Sequence, residues 1–377
     1  MKSLFIFSDD LSRIEFSTDH LFKPVRARNT LDLCERYGLL DGDAAKVIPP
    51  SPSTPEQLVL FHDEAYIDTL LRIDSGEFDM EMFGRGLGTE ENPVFQHLLD
   101  WCLQTTGATL TGMEALDAGE ADMAFNPLGG FHHAGRGGAE GFCYVNDVGV
   151  AVEMLLARGR RVAVVDLDAH HGNGVQDGFY EDDRVLTISL HESGRTLYPW
   201  TGDETQIGEG RGRGFNVNVP LEVKTDDEVY LMAFHEIVPP LLEAFSADII
   251  ISEIGADTII SDPLTHLRLT NNGYKEAVTT LGGLARKFLA LGAGGYDIFR
   301  TSRCWTLAWA GLNGLEPKDE FAGLVGGMMF GPEMEMGSLY DRPLLTKGPD
   351  REKAEEEARR VIRSIKETVF PLLGAKG

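Results

Sequence analysis

A chain of 377 residues that is 42% hydrophobic and 25% charged, with 43 Gly and 17 Pro, has the balance of a folded globular protein, which excludes disordered and collagen-like classes. Its 34 Lys and Arg against 60 Asp and Glu leave a formal charge of -26, which repels phosphate backbones and anionic lipid over most of the exterior. Nucleic acids and membrane surfaces are therefore disfavoured as partners.

The chain opens with one basic residue and an apolar run of four, Leu4 to Phe7, before Asp9 and Asp10, too short for a signal peptide or a membrane span. Further along, Asp147 to Arg158 reads as a helix and Arg161 to Asp166 as a buried strand. Val185 to Leu190 is a second strand, and Asp227 to Phe245 a helix interrupted by Pro239 and Pro240. Asp248 to Ile254 and Phe288 to Gly292 complete the apolar strands, with a helix from Tyr274 to Lys287 between them. Arg351 to Leu373 reads as a charged amphipathic helix packed on the outside. This alternation predicts an α/β domain with a parallel sheet and right-handed crossovers, whose ligands bind at the carboxyl ends of the strands. With no linker in sight, one domain is expected over 1–377, with a core of about 15–315 and a packed extension over 316–377. Cys34, Cys102, Cys143 and Cys304 are scattered without a CxxC pair, so a reducing, cytoplasmic setting is expected and a cysteine zinc site is not.

Several chemistries lose their usual support because GxGxxG, Gly-Lys, GxSxG and HExxH are all missing; four residues after His235 stands Pro239. What remains is concentrated in four places. The Gly-rich loop from Gly129 to Cys143 contains His132 and His133, which can present two rings to one reacting centre. The strand ending at Asp166 continues through Asp168 and His170, and a two-residue period places all three on one side. The strand ending at Ile254 runs into Gly255-Ala-Asp257, and Leu291-Gly-Ala-Gly-Gly-Tyr296 ends in a turn that aims a phenol inward. Taken singly, each has a structural explanation: a strand-end cap, a surface His pair, a packed Tyr. Taken together, Asp168, His170 and Asp257 give three protein ligands with coordination left open, as a catalytic zinc site requires, although such a set also suits iron(II) or manganese.

In this order the four elements resemble the histone deacetylase superfamily, in particular bacterial deacetylases of the acetoin-utilisation type. Further matching stretches run from His20-Leu-Phe-Lys-Pro-Val-Arg26 through Phe61-His-Asp-Glu-Ala-Tyr66 and Gly141-Phe-Cys-Tyr-Val-Asn146 to Arg303-Cys-Trp305. The resemblance implies a three-layer arginase/deacetylase-like fold, with an eight-stranded parallel sheet flanked by helices and long active-site loops. It also implies a zinc-dependent hydrolase, with iron(II) as the other metal considered, that removes acyl groups from lysine or related amines. Asp168, His170 and Asp257 would bind the metal, and His132 and His133 would handle the proton. Tyr296 would donate to the developing oxyanion. Asp166 would orient His132 and, with Asp168, His170, Ser189 and Leu190, belong to a structural potassium site. Gly141, Phe142, Tyr198 and Leu264 would line the acyl-lysine channel, Glu90 or Glu91 would stand at its rim, and Arg26 would belong to an internal cavity below the metal.

The sequence departs from the pattern in four places. Asn173 replaces an Asp partner of His133, Glu253 replaces a Gln, Ala293 interrupts a four-glycine run, and Trp200 replaces a Gly near the channel rim. Two other activities fit parts of the pattern. A binuclear manganese ureohydrolase would need further ligands, and a silent acyl-ligand binder would be expected to have lost a ligand or Tyr296. Protein lysine, acetylpolyamine and a small acylated metabolite all present a neutral amide on an alkyl stem, so each stays open as the substrate.

Overall fold

The computed structural model describes residues 1–12, 19–42, 44–317 and 339–376. Of the expected C-terminal extension, 318–338 lie outside the described residues. Eight strands are named in chain order: β1 Ser3–Ile6, β2 Ala45–Ile48, β3 Met123–Asn126, β4 Val162–Asp166, β5 Val185–Glu192, β6 Asn216–Leu221, β7 Ile249–Glu253 and β8 Phe288–Leu291. They form one parallel sheet in the order β2-β1-β3-β8-β7-β4-β5-β6. The four strands read as apolar runs are the adjacent block β8-β7-β4-β5, whose burial on both faces favours apolar residues along most of their length.

Helices cover both faces. Val25–Arg36, Asn271–Leu284, Ile298–Leu312 and Asp227–Phe245 pack as a series on one side, and Leu98–Asp117, Asp147–Ala157 and Asn173–Phe179 on the other. The C-terminal helix Pro349–Thr368 buries Ala354, Ala358, Val361 and Ile365 against Asp227–Phe245 and β6. It stops at Thr368, and a short turn of helix, Phe370–Leu373, follows instead of one helix running to Leu373. No helix among the described residues is long and apolar enough to cross a membrane.

One expectation is overturned. Asp227–Phe245 is a single helix that runs straight through Pro239 and Pro240. Each proline removes an N–H and costs about 3 kcal/mol. The carbonyls left without those donors belong to the exposed residues His235 and Glu236, on the face open to solvent. The opposite face buries Val229, Tyr230, Ala233, Phe234, Ile237, Val238 and Leu241, and the larger aliphatic and Phe side chains contribute about 1.5–3 kcal/mol each, which outweighs the break.

The sheet positions the site through its order. The loops after β3, β8, β7 and β4 leave four neighbouring strand ends, and they carry His132 and His133, Tyr296, Asp257, and Asp168 and His170 respectively. Residues far apart in sequence thus meet over the middle of one sheet edge.

Candidate metal centre and active site

Strand β4 ends at Asp166, and the chain then folds back on its own carboxylates. Asp168 N donates to Asp166 Oδ1 at 3.0 Å and His170 N to Asp168 Oδ1 at 2.8 Å. These turns break the extended period, so Asp166 does not face the same way as Asp168 and His170. It lies instead in a second group with His132 and Glu253. Asp168, His170 and Asp257 bring one donor atom each to within 4.8 Å of one another, all buried. His170 Nδ1 stands 3.0 Å from Asp168 Oδ1 and 2.9 Å from Asp257 Oδ2. Two dry carboxylates on one imidazole are costly unless a cation offsets them. Donors bound at about 2.0–2.2 Å around a tetrahedral ion lie roughly 3.3 Å apart, so the observed spacing fits a divalent metal. Burial first, and then the charge of Asp168, push Asp257 up to about 7. Burial opposes ionisation of Asp168 too, but the hydrogen bond from His170 overrides it and holds this carboxylate well below the ordinary range.

The tyrosine loop closes against these carboxylates. Gly294 N donates to Asp168 Oδ2 at 2.6 Å, and a Cβ on Gly294 would lie 2.2 Å from Asp257 Oδ2. Only glycine allows that approach. Ala293, at φ 54, carries a left-handed backbone that costs a non-glycine residue about 1–2 kcal/mol, and Arg26 braces it. The Arg26 guanidinium donates to the carbonyls of Ala293 at 2.5 Å and Gly295 at 2.7 Å. It lies over the rings of Phe22 and Trp305, and burial lowers its pKa to about 10. A cavity of about 20 Å³ at the site is lined by His132, His133, Phe142, Ala293 and Tyr296, with Phe22 and Phe131. Arg26 is buried behind the tyrosine loop, with its two terminal nitrogens on the loop carbonyls.

His132 and His133 reach the centre from the loop after β3. His132 Nδ1 is 2.8 Å from Asp166 Oδ2, His133 Nδ1 is 2.7 Å from Asn173 Oδ1, and the two Nε2 atoms are 3.2 Å apart. Burial disfavours charge on His132, yet Asp166 more than compensates and raises it to about 9. Burial, reinforced by the charges of His132 and His170, holds His133 well below its ordinary range. The Tyr296 ring is 6.2 Å from that of His170, and burial followed by the Asp257 and Asp168 charges keeps its phenol protonated.

Around this centre, Gly141 and Phe142 occupy a turn with φ 53 and φ 67. A Cβ on Gly141 would meet His133 Cδ2 at 2.5 Å and Tyr198 Cε1 at 3.1 Å, so glycine lets the wall close on both rings. Phe142 packs on Tyr296 at 5.8 Å, and Tyr198 on His133 at 5.4 Å. Leu264 sits on a loop whose Asp262 accepts from both Leu264 N and Tyr296 N, at 2.9 and 2.8 Å. The backbone carbonyl of Glu91 lies 3.1 Å from His20 Nε2, and the His20 ring packs on Phe142. Trp200, 65% exposed, lines a separate depression of about 250 Å³ with Arg195, Asp203 and Arg360. Asp166 and Ser189 are register partners on β4 and β5, with Leu190 next along β5, although Ser189 Oγ is engaged with His191 Nδ1 at 2.9 Å.

The histone deacetylase domain model matches residues 20–312. The chain belongs to the histone deacetylase family. This deacetylase-family chain is 38% identical to the acetoin utilization protein AcuC of Bacillus subtilis over 327 residues, 84% of each. To human histone deacetylase 1 it is 34% identical over 308 residues, 81% of this chain and 63% of that one. A solved histone deacetylase homologue complexed with SAHA superposes with a TM-score of 0.84 at 30% identity, covering 96% of this chain and 100% of that one. A homologue from Aquifex aeolicus gives 0.83 at the same identity and coverage. Membership places the chain among hydrolytic deacetylases with the arginase/deacetylase-like fold.

Three residues of this deacetylase-family site were not foreseen. Asp262, which holds the Tyr296 backbone, follows the Gly-Ala-Asp motif in an Asp-Pro turn, a pattern that flags backbone acceptance. Glu140 is tied to Asn173 and Tyr198. Glu253, noted in the sequence only as a departure, is buried beside Asp166 in register, and neither of its oxygens has a hydrogen-bond partner among the described residues. Burial, and next the Asp166 charge, push its pKa well up, so it keeps its proton in the folded chain. An unfolded Glu ionises near 4.3, so unfolding releases that proton and stability falls as pH rises above this value, by at most about 1.4 kcal/mol per unit. The stability of Glu253→Gln relative to the parent in urea unfolding is therefore expected to rise from pH 5 to pH 8. An equal offset at both pH values would show that Glu253 is ionised in the fold.

Proposed function

We propose that the chain is a metal-dependent amidohydrolase that removes acetyl or other short acyl groups from lysine or related amines. The observation that carries this reading is the convergence of the Asp168, His170 and Asp257 donors beside the paired Nε2 atoms of His132 and His133. A zinc or iron(II) ion held by those three residues would polarise the amide carbonyl and acidify bound water. His133, with a neutral ring, takes up a proton at Nε2, and His132, kept charged by Asp166, stabilises that side of the site and returns a proton to the leaving amine. Tyr296 offers its O–H to the carbonyl oxygen as negative charge builds there. Phe142 and Tyr198 enclose the alkyl stem of the acylated amine and exclude water from the amide. Glu91 at the rim favours a substrate whose backbone or second amine donates hydrogen bonds. Asp166, Ser189 and the turn through Asp168 and His170 would hold potassium behind the metal.

The second donor group does not favour a binuclear ureohydrolase, because His132 is already paired with Asp166 and Glu253 keeps its proton. The test is metal content measured together with hydrolysis of acetyl-lysine peptides and acetylpolyamines. One metal per chain, with turnover abolished by chelation and restored by zinc or iron(II), is the expected result. Two manganese ions with urea release, or turnover that survives verified metal removal, would overturn it.

A further inference from the structure

The geometry points to Glu140 as a positioning residue that fixes which nitrogen of His133 carries the proton, acting through Asn173, and that couples this choice to the channel wall. The inference rests on the proposed role of His133 as a proton acceptor. Asn173 Oδ1 faces His133 Nδ1 at 2.7 Å, and its Nδ2 donates to Glu140 Oε2 at 3.1 Å. A primary amide can be turned either way, and turned over it would present its NH₂ to His133 and force the opposite tautomer. Glu140 offers one oxygen to that NH₂ while the other accepts from Tyr198, so it holds the NH₂ on its own side and the amide oxygen toward His133. His133 must then donate from Nδ1, which leaves Nε2 bare and directed at the site, where His132 Nε2 lies at 3.2 Å.

Glu140 is itself held rigidly. Its N donates to Cys143 O at 3.0 Å and its O accepts from Cys143 N at 2.8 Å, which closes the tight turn carrying Gly141 and Phe142. Its second oxygen accepts from the Tyr198 hydroxyl at 3.0 Å. One carboxylate thus connects a channel-wall ring, the orientation of Asn173 and the tautomer of His133. A directly bonded Asp at 173 would need no such help, being an acceptor on both oxygens. The carboxylate expected beside His133 has in effect moved one residue outward along the hydrogen-bond chain.

The experiment uses the zinc-loaded full chain with ¹⁵N-labelled histidine rings, in the parent, Glu140→Gln, Asn173→Asp and the double variant. Parent His133 should show a protonated Nδ1 and a bare Nε2. In Glu140→Gln the new amide can donate to Asn173, so His133 should show mixed tautomers, with kcat about 10-fold lower and KM little changed. Asn173→Asp alone sets two carboxylates face to face and should also lose turnover, whereas Asn173→Asp with Glu140→Gln should recover both the single tautomer and the rate. A Glu140→Gln protein with the parent tautomer and rate, or a double variant no better than Asn173→Asp, would overturn the inference. If the chain hydrolysed no acyl amine but the tautomer still followed residue 140, the positioning role would stand and the deacylase reading would fall.

Discussion

Asp257→Ala should give a folded protein that binds metal at least about 100-fold more weakly than the parent. Removing a residue that merely supports a ligand typically costs about 10–100-fold, and Asp257 is one of only three donors in the proposed set. Turnover should vanish with the metal, since no other group at the site can replace that Lewis acid. Asp257 Oδ1 also accepts from Ala169 N at 2.9 Å, so part of any loss in the alanine variant could come from the turn after β4. Asp257→Asn keeps an oxygen for that amide and removes only the charge, and it should fold as the parent does while still binding metal weakly. Elemental analysis after dialysis, read beside a circular dichroism melt, checks both. Full occupancy in either variant would show that the ligands are wrongly chosen.

Tyr296→Phe should do the reverse, keeping metal and fold while lowering kcat by about 10²–10³ with little change in KM. Its hydroxyl gains importance as charge develops on the carbonyl oxygen, the behaviour of an oxyanion donor. The ring is held by Phe142, and the backbone by Asp262 and, through Ala293 and Gly295, by Arg26, so losing one oxygen should not move the loop. Near-parental turnover of an acetyl-lysine peptide would mean that the phenol does not serve the carbonyl.

The parts of the fold legible in the sequence are those whose environment is uniform. Strands β4, β5, β7 and β8 are buried on both faces and announce themselves as apolar runs. Strands β1, β2 and β3 are four residues each and include Ser3, Lys46 and Asn126, which cut their apolar runs short, and β2 lies at the sheet edge with Lys46 and Val47 exposed. Strand β6, Asn-Val-Asn-Val-Pro-Leu, hides behind its asparagines, which point inward to the Gln176 carboxamide. At the site, the convergence of Asp168, His170 and Asp257 was readable because each follows the carboxyl end of a strand. The reach of Glu140 to Asn173 was not, since 33 residues separate them and only the folded loop brings them together. An Asn at a position where a carboxylate is expected is the available clue, because it raises the question of where the compensating acceptor lies.

The neighbouring placement of β4 and β7 has a mechanical consequence. His170 and Asp257 meet across 87 residues of chain, so an ion shared by their loops would close a long circuit through the middle of the sheet, much as a covalent staple would. The unfolded chain has no such preformed cage, and binding energy would therefore add to the cooperativity of the whole domain, by RT ln(1 + [metal]/Kd). Stripping the ion should loosen these central strands first, so that their amides exchange with solvent sooner while the edge strands β2 and β6 barely change. The tightest part of the sheet would then owe its rigidity to the same atom that performs the chemistry.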